Sequence, residues 1–313
     1  MPRVSRRSVF RAAQWVFAAL VIIFASRTLL KQWGLASARL VHVRIDWGRI
    51  ALASVLIMVT YAILIEAWRQ ILRAWGGRLT RLEAARIWCL SNLGKYVPGN
   101  VWSLTAMGVM SRERGMSAVA ATGSSIIMQL LTLAIGLGVV LVTGAKLVGN
   151  PVALGILLVV LLALIAAAPR ILPAVTRVIG SFTGWTIPEP AIPAKIVWGA
   201  TLAGGVTWIL YGVAFQLFTT GLLGAASGAT MSYIAVYTAA YILGFISPIA
   251  PAGLGVREVA LAAGMTQFGL ATKGDAALVA IGARLWLTLL ELIPSAGFVL
   301  AATLQRRSTS NEG

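Results

Sequence analysis

Five ionisable side chains stand in stretches of this sequence that otherwise carry almost no charge. Lys95 lies in LGKYVPGN, Arg257 and Glu258 lie in PAGLGVREVAL, and Arg284 and Glu291 lie in a last apolar run. Three cations against two carboxylates, with Asn100 beside the first cation, make a set suited to an anion. Phosphate fits such a set better than any other common lipid group. Arg284 and Glu291 are seven residues apart and share one helix face. The spacing therefore predicts that Arg284 pairs with Glu258 and Glu291 with Arg257. Helices starting after Gly99 and Gly255 are expected to add free N–H groups and a positive dipole end. Arg112 is a further candidate, as a contact for an inner-leaflet headgroup. The alternative for the same residues is a set of intramembrane ion pairs that only fix packing.

The elements that must position these groups follow from composition. Of 313 residues, 59% are apolar and only 11% are charged, where a soluble domain carries about 25%. Too little polar surface exists to cover a globule in water, so lipid is the solvent for most of the chain. An ionisable group at membrane depth costs about 2.5–3.5 kcal/mol on insertion scales, so each one needs a reason. The net charge of +17 fits basic residues flanking membrane helices and meeting anionic headgroups, with no nucleic acid implied. Cys89 is the sole cysteine and His42 the sole histidine, which excludes an intrachain disulfide, a zinc cluster and a histidine triad. A P-loop, a GxGxxG fingerprint and an HExxH pattern are absent. No catalytic residue, metal or cofactor is expected.

The fold expected is an all-α integral membrane protein. Six segments are long and apolar enough to span, at 10–30, 50–72, 117–143, 151–168, 196–223 and 276–303. The first reads as an uncleaved spanning helix rather than a signal peptide. Two further stretches, 82–111 and 229–268, are apolar but broken near their middles. Pro98 and Gly99 break the first, and Pro248, Pro251, Gly253 and Gly255 break the second. Broken backbone at membrane depth survives only when buried in protein or lining a wet cavity, so both read as re-entrant helical hairpins. Pairs of short spanning helices are the alternative. LGKYVP at 93–98 matches LGFISP at 243–248, and three spans separate them, which reverses direction. The halves, 50–168 and 196–305 of a single membrane domain, thus form an inverted repeat, as in many transporters. Lys and Arg bias puts both termini in the cytoplasm of a bacterial inner membrane. Glu66 and Arg69 read as a local pair, Gln129 and Gln216 as interhelical glue or substrate contacts, and Asn92 as a cap.

The motifs NLGKYVPGNVW at 92–102, with Arg112 downstream, and PAGLGVREVAL at 251–261 resemble the lysylphosphatidylglycerol synthase transmembrane family, also called the flippase-like domain family. That family shows a Lys-Tyr-x-Pro-Gly-like break followed by Arg, and a Pro-Gly-Gly-x-Gly-x-Arg-Glu-like run. Ala252 replaces one Gly of the second pattern. The resemblance covers about 50–305 and implies movement of lipids between leaflets, with relatives tied to polyprenyl-phosphate sugars and hopanoid pathways. The synthase domain of bifunctional members is not expected here, so aminoacyl transfer is not predicted. The expected partners are an anionic lipid substrate and membrane lipids. A non-transporting accessory protein bound to a biosynthetic enzyme is the first rival, and an intramembrane enzyme or a solute transporter are lesser ones.

Overall fold

A computed structural model describes residues 45–96, 102–145, 150–183, 192–225, 227–247 and 251–311. The expected span over 10–30, the segment up to Arg44, and Pro98, Gly99, Asn100 and Pro248 lie outside these residues. Among the described residues there is no strand. In chain order the helices are α1 (Trp47–Ala74), α2 (Arg81–Asn92), α3 (Trp102–Arg112), α4 (Ala118–Thr143), α5 (Pro151–Thr183), α6 (Ala194–Leu223), α7 (Thr230–Ile246), α8 (Val256–Gln267) and α9 (Lys273–Asn311). Helices α1, α4, α5, α6 and α9 are long and apolar enough to cross a bilayer. They coincide with five of the six expected spans.

The two broken stretches are the pairs α2–α3 and α7–α8. One short 3₁₀ turn follows α2 at Leu93–Tyr96, and another precedes α8 at Pro251–Gly253. Each pair doubles back on itself. Glu83, in the first turn of α2, is paired with Arg114, just beyond α3. In the second pair, Gly264 of α8 packs against Val236 of α7, and Gly228 before α7 meets Leu270 after α8. Both ends of each hairpin therefore lie at one level of the bundle.

Those two levels are opposite. Helices α1 and α6 run antiparallel, since the Asp46 N–H at the head of α1 donates to the Gly221 carbonyl at the tail of α6 (2.8 Å). The first hairpin follows the tail of α1, and the second follows the tail of α6. The hairpins thus enter from opposite ends, and their 3₁₀ turns meet. Packing is reciprocal: α4 lies against α7, and α9 lies against α2. A twofold repeat pairing α1 with α6, α2–α3 with α7–α8, and α4 with α9 requires those contacts.

Capping explains where the helices start. Asp46 accepts the Arg49 N–H (3.1 Å), and Thr80 with Glu83 forms a capping box at α2 (3.2 and 3.0 Å). Arg69 grips Glu66 with two hydrogen bonds (2.9 and 2.7 Å) and reaches the Leu79 carbonyl (3.2 Å), so the expected local pair also fixes the loop into α2. Apolar burial falls into two clusters. One gathers residues such as Trp68, Leu72, Ile87, Met128 and Val197 around the entry level of the first hairpin. The other gathers Ile57, Phe215, Tyr233, Met265 and Val279 toward the opposite level. The outward apolar side chains of α5, such as Val152, Ile156, Val159 and Leu162, are exposed, as lipid-facing positions should be.

Candidate anion site between the hairpin tips

A polar cavity of about 210 Å³ lies where the hairpins meet, walled by Lys95, Tyr96, Arg257, Arg284, Thr288 and Glu291, among others. At about 30 Å³ per water, it has room for roughly seven waters or one phosphate with its shell. A second chamber of about 110 Å³ adjoins it and shares Lys95, Arg257 and Glu291. The sequence-predicted groups Lys95, Arg257, Arg284 and Glu291 therefore do converge. The main cavity has three cations and one carboxylate in its wall.

Helix α9 is the common anchor. Its Glu291 takes the Lys95 ammonium on one oxygen (2.6 Å) and the Tyr96 hydroxyl on the other (2.6 Å), and Tyr61 of α1 donates more weakly (3.4 Å). The expected pairing of Glu291 with Arg257 is corrected here. The first hairpin turn brings Lys95 to Glu291, while Arg257 turns toward α7. Arg257 donates to the Tyr237 hydroxyl (2.8 Å) and lies over the Tyr237 and Tyr241 rings at 5.2 and 5.1 Å. Two aromatic faces stabilise that cation without cancelling its charge.

The other expected pair is present. Arg284 Nε lies 3.6 Å from Glu258 Oε1, and Arg284 Nη1 donates to the Ala252 carbonyl (3.0 Å). Glu258 is only 1% exposed and stands behind the cavity wall rather than in it. Its second oxygen accepts the Gly255 N–H (2.6 Å). The N–H of Gly255, at the cap of α8, is thus taken by the protein's own carboxylate, in the manner of an N-terminal cap. Arg284 Nη2 is buried and has no hydrogen-bond partner among the described residues.

Two sequence-predicted groups fall elsewhere or beyond view. Arg112 ends α3 as an exposed residue and does not line this cavity. Asn100 lies outside the described residues, as do Pro98, Gly99 and Pro248. Pro251 and Gly253 form the 3₁₀ turn before α8, and Gly253 and Gly255 hold φ of +70° and +84°, so the break is made where Gly permits it. Gln129 and Asn92 line both chambers, which places them with the polar wall.

The tyrosines were not singled out from the sequence. Five of the six, Tyr61, Tyr96, Tyr211, Tyr237 and Tyr241, line the two chambers. A signal was available. Tyr in membrane helices concentrates at the interfaces, whereas Tyr61 sits midway along α1 and Tyr237 and Tyr241 share one face of α7.

Two apolar recesses flank this centre. A groove of about 1190 Å³ runs between α1, α2, α6 and α9, apolar along most of its length. Glu66, Gln70, Arg81 and Lys195 lie at its mouth, and Tyr61 belongs both to its wall and to the second chamber. A wholly apolar crevice of about 490 Å³ lies between α4, α5, α6 and α7, near the opposite level. Among the described residues no group of His, Cys, Asp and Glu side chains could hold a metal ion. Comparison with curated proteins finds no match. The family model for the lysylphosphatidylglycerol synthase TM region matches residues 11–295, and the chain belongs to that family.

Proposed function

We propose that this protein is a lipid transporter of the flippase type, moving an anionic lipid, a phospholipid or a polyprenyl-phosphate-linked one, between membrane leaflets. The observation that carries this reading is the convergence of Lys95, Arg257 and Arg284 on a polar cavity at the meeting point of two oppositely entering hairpins. Cations held at membrane depth at such cost are the natural receptors for a phosphate. The adjoining groove, with charges only at its mouth, suits an acyl or prenyl chain whose headgroup enters the cavity. Hairpins entering from opposite levels are read as re-entrant, and the reciprocal packing supports rocking of two halves about a central site.

Orientation follows the same reasoning. Arg73, Arg78, Arg81, Arg112, Arg114 and Lys195 belong to the entry level of the first hairpin, and Arg49 and Lys273 to the other. We place the first level in the cytoplasm of a bacterial inner membrane, with both termini on that side.

The test is leaflet exchange of fluorescent phosphatidylglycerol and of a polyprenyl phosphate in proteoliposomes. Exchange above protein-free vesicles is expected, and Arg257→Gln should slow it about tenfold or more, because a hydrogen bond to a charged group contributes about 1.5–3 kcal/mol. A second reading is a lipid-binding accessory protein that does not transport. It is favoured by the internal partners that Lys95 and Arg257 already have. Absence of exchange, together with stable co-purification of a biosynthetic enzyme, would establish that reading instead.

A further inference from the structure

The cavity is not an open set of cations. The donors best placed for an anion are already spent on one: Lys95 Nζ and Tyr96 Oη both point at the Glu291 carboxylate, on separate oxygens at 2.6 Å. Two donors on two oxygens of a planar anion is the arrangement a phosphate would also use. Tyr61 completes the set from α1 at 3.4 Å. Glu291 lines both chambers, and its side chain is 12% exposed, so it stands within the space a ligand would enter. Glu258 differs. It lies outside the cavity wall, capping α8 and pairing with Arg284 from behind.

Resting on the anionic-lipid reading above, we infer that Glu291 is an internal substitute for the substrate, a carboxylate latch that the lipid phosphate displaces from Lys95 and Tyr96. The latch also has a mechanical side. The Lys95–Glu291 and Tyr96–Glu291 contacts tie the first hairpin turn to α9. Tyr96 adds a weak contact to Thr288 (3.4 Å), and its ring lies under the Arg284 guanidinium (5.8 Å). A phosphate that takes Lys95 and Tyr96 releases the turn of the first hairpin from Glu291, while Ser295 still holds α2 and Arg284 still holds the second hairpin. Binding and release of that turn become one event. A ligand shifts a conformational equilibrium only through its different affinity for the two states, and competition for the same donors supplies that difference.

The freed carboxylate has a place to go. Thr288 lies one turn before Glu291, and Arg257 faces the same chambers. Pro294, three residues further on, removes the amide that would bond the Leu290 carbonyl, so α9 is weakened next to Glu291. Next to that gap the Ser295 hydroxyl lies within donor reach of the Glu291 carbonyl (2.8 Å) and of the Cys89 carbonyl in α2 (3.1 Å).

The experiment measures anion binding to the detergent-solubilised full chain by calorimetry, with two probes. Inorganic phosphate reports the seat alone, and dihexanoyl phosphatidylglycerol reports a lipid headgroup. Glu291→Gln keeps the shape but gives up the charge that holds Lys95. It is expected to bind both probes at least tenfold more tightly than wild type and to lose leaflet exchange, because release no longer re-forms the latch. Glu291→Asp, which withdraws the carboxylate by one methylene, should fall between. Glu258→Gln is the control for general electrostatics. It removes an equal charge beside Arg284 without vacating the seat, so its affinity gain should be several times smaller. Equal gains in the two Gln variants, or no gain in Glu291→Gln with an unchanged melting temperature, would overturn the latch. If wild type and all variants bind neither probe, the anion site itself fails and the latch falls with it. Wild-type binding with no effect at Glu291 overturns the latch alone.

Discussion

The two hairpins share a plan and differ in the sign of the charge they bring to α9. The first carries a cation, Lys95, to the carboxylate of Glu291; the second carries a carboxylate, Glu258, to the guanidinium of Arg284. Helix α4, which packs against α7 as α9 packs against α2, has no charged residue between Ala118 and Thr143 and offers Gln129. The packing of the two hairpins is therefore matched while their charge is not. The two ion pairs at the cavity, Lys95–Glu291 and Arg284–Glu258, both fall on α9, which both hairpins grip. The grips also differ in wetness. Glu258 is 2% exposed in its side chain and Glu291 12%. The second grip has the character of a structural rivet, and the first that of an exchangeable contact.

The sharpest break of that comparison comes from removing one partner of each pair. Arg284→Met leaves the Glu258 carboxylate buried with only the Gly255 N–H. Breaking a buried pair this way costs about 3–5 kcal/mol. The matched variant Arg284→Met with Glu258→Gln should recover much of that loss. Thermal unfolding of the solubilised chain reads both. Lys95→Met leaves Glu291 with two tyrosine hydroxyls and more solvent, so the expected loss is smaller, about 1–3 kcal/mol. Its leaflet exchange should nevertheless collapse. Equal destabilisation by the two variants would erase the distinction between rivet and exchangeable contact.

Much of this was legible in the sequence because it depends on composition and on breakers. Five of the spans follow from apolar length alone, and the hairpins follow from Pro and Gly inside apolar stretches. The convergence of Lys95, Arg257, Arg284 and Glu291 follows from the cost of charge in lipid. Partner choice was only half legible. Spacing along α9 placed Arg284 and Glu291 on one face, and so gave the Glu258 pair. It said nothing of how the first hairpin turn approaches α9, which is what sends Glu291 to Lys95. Glu258 stands three residues after Gly255, the spacing of a cap, and takes the Gly255 amide. The tyrosine lining went unread because each Tyr is an ordinary membrane residue alone, and only their shared depth marks them.

The motif that relates the hairpins, L-G-x-x-x-P, has a structural meaning that a pair of substitutions can grade. Its glycine is Gly94 in the first hairpin and Gly244 in the second, and each lies where the hairpin arms approach. A Cβ on Gly94 would stand 2.5 Å from the Ser103 amide nitrogen and 2.7 Å from the Trp102 carbonyl carbon. A Cβ on Gly244 would meet Arg257 Cβ at 3.0 Å, with other atoms at 3.6 Å. Backbone cannot yield as a side chain can. Gly94→Ala should therefore cost about 2–3 kcal/mol and Gly244→Ala about 1 kcal/mol, at the upper and lower ends of overpacking costs. The order is checked by thermal unfolding, and a reversal would mean that the second hairpin is the more tightly closed.

The smallest expected effect lies at Ala252, where the family pattern has Gly. Its φ of +51° and ψ of +25° put an L-residue in the left-handed region, the sole non-glycine residue with positive φ among those described. That conformation costs about 1–2 kcal/mol for a residue with a Cβ. Replacement by Gly relieves it but adds about 0.4–1 kcal/mol of unfolded-chain entropy. Ala252→Gly should thus stabilise the protein by about 0.5–1 kcal/mol. The carbonyl that accepts from Arg284 is unchanged by the substitution, so the grip on α9 is kept. Unchanged leaflet exchange in this variant would mark the strain as incidental. Slower exchange in a more stable protein would mean that the second break stores strain which helps its hairpin move, and that the grip at Arg284, for all its burial, also has to loosen during transport.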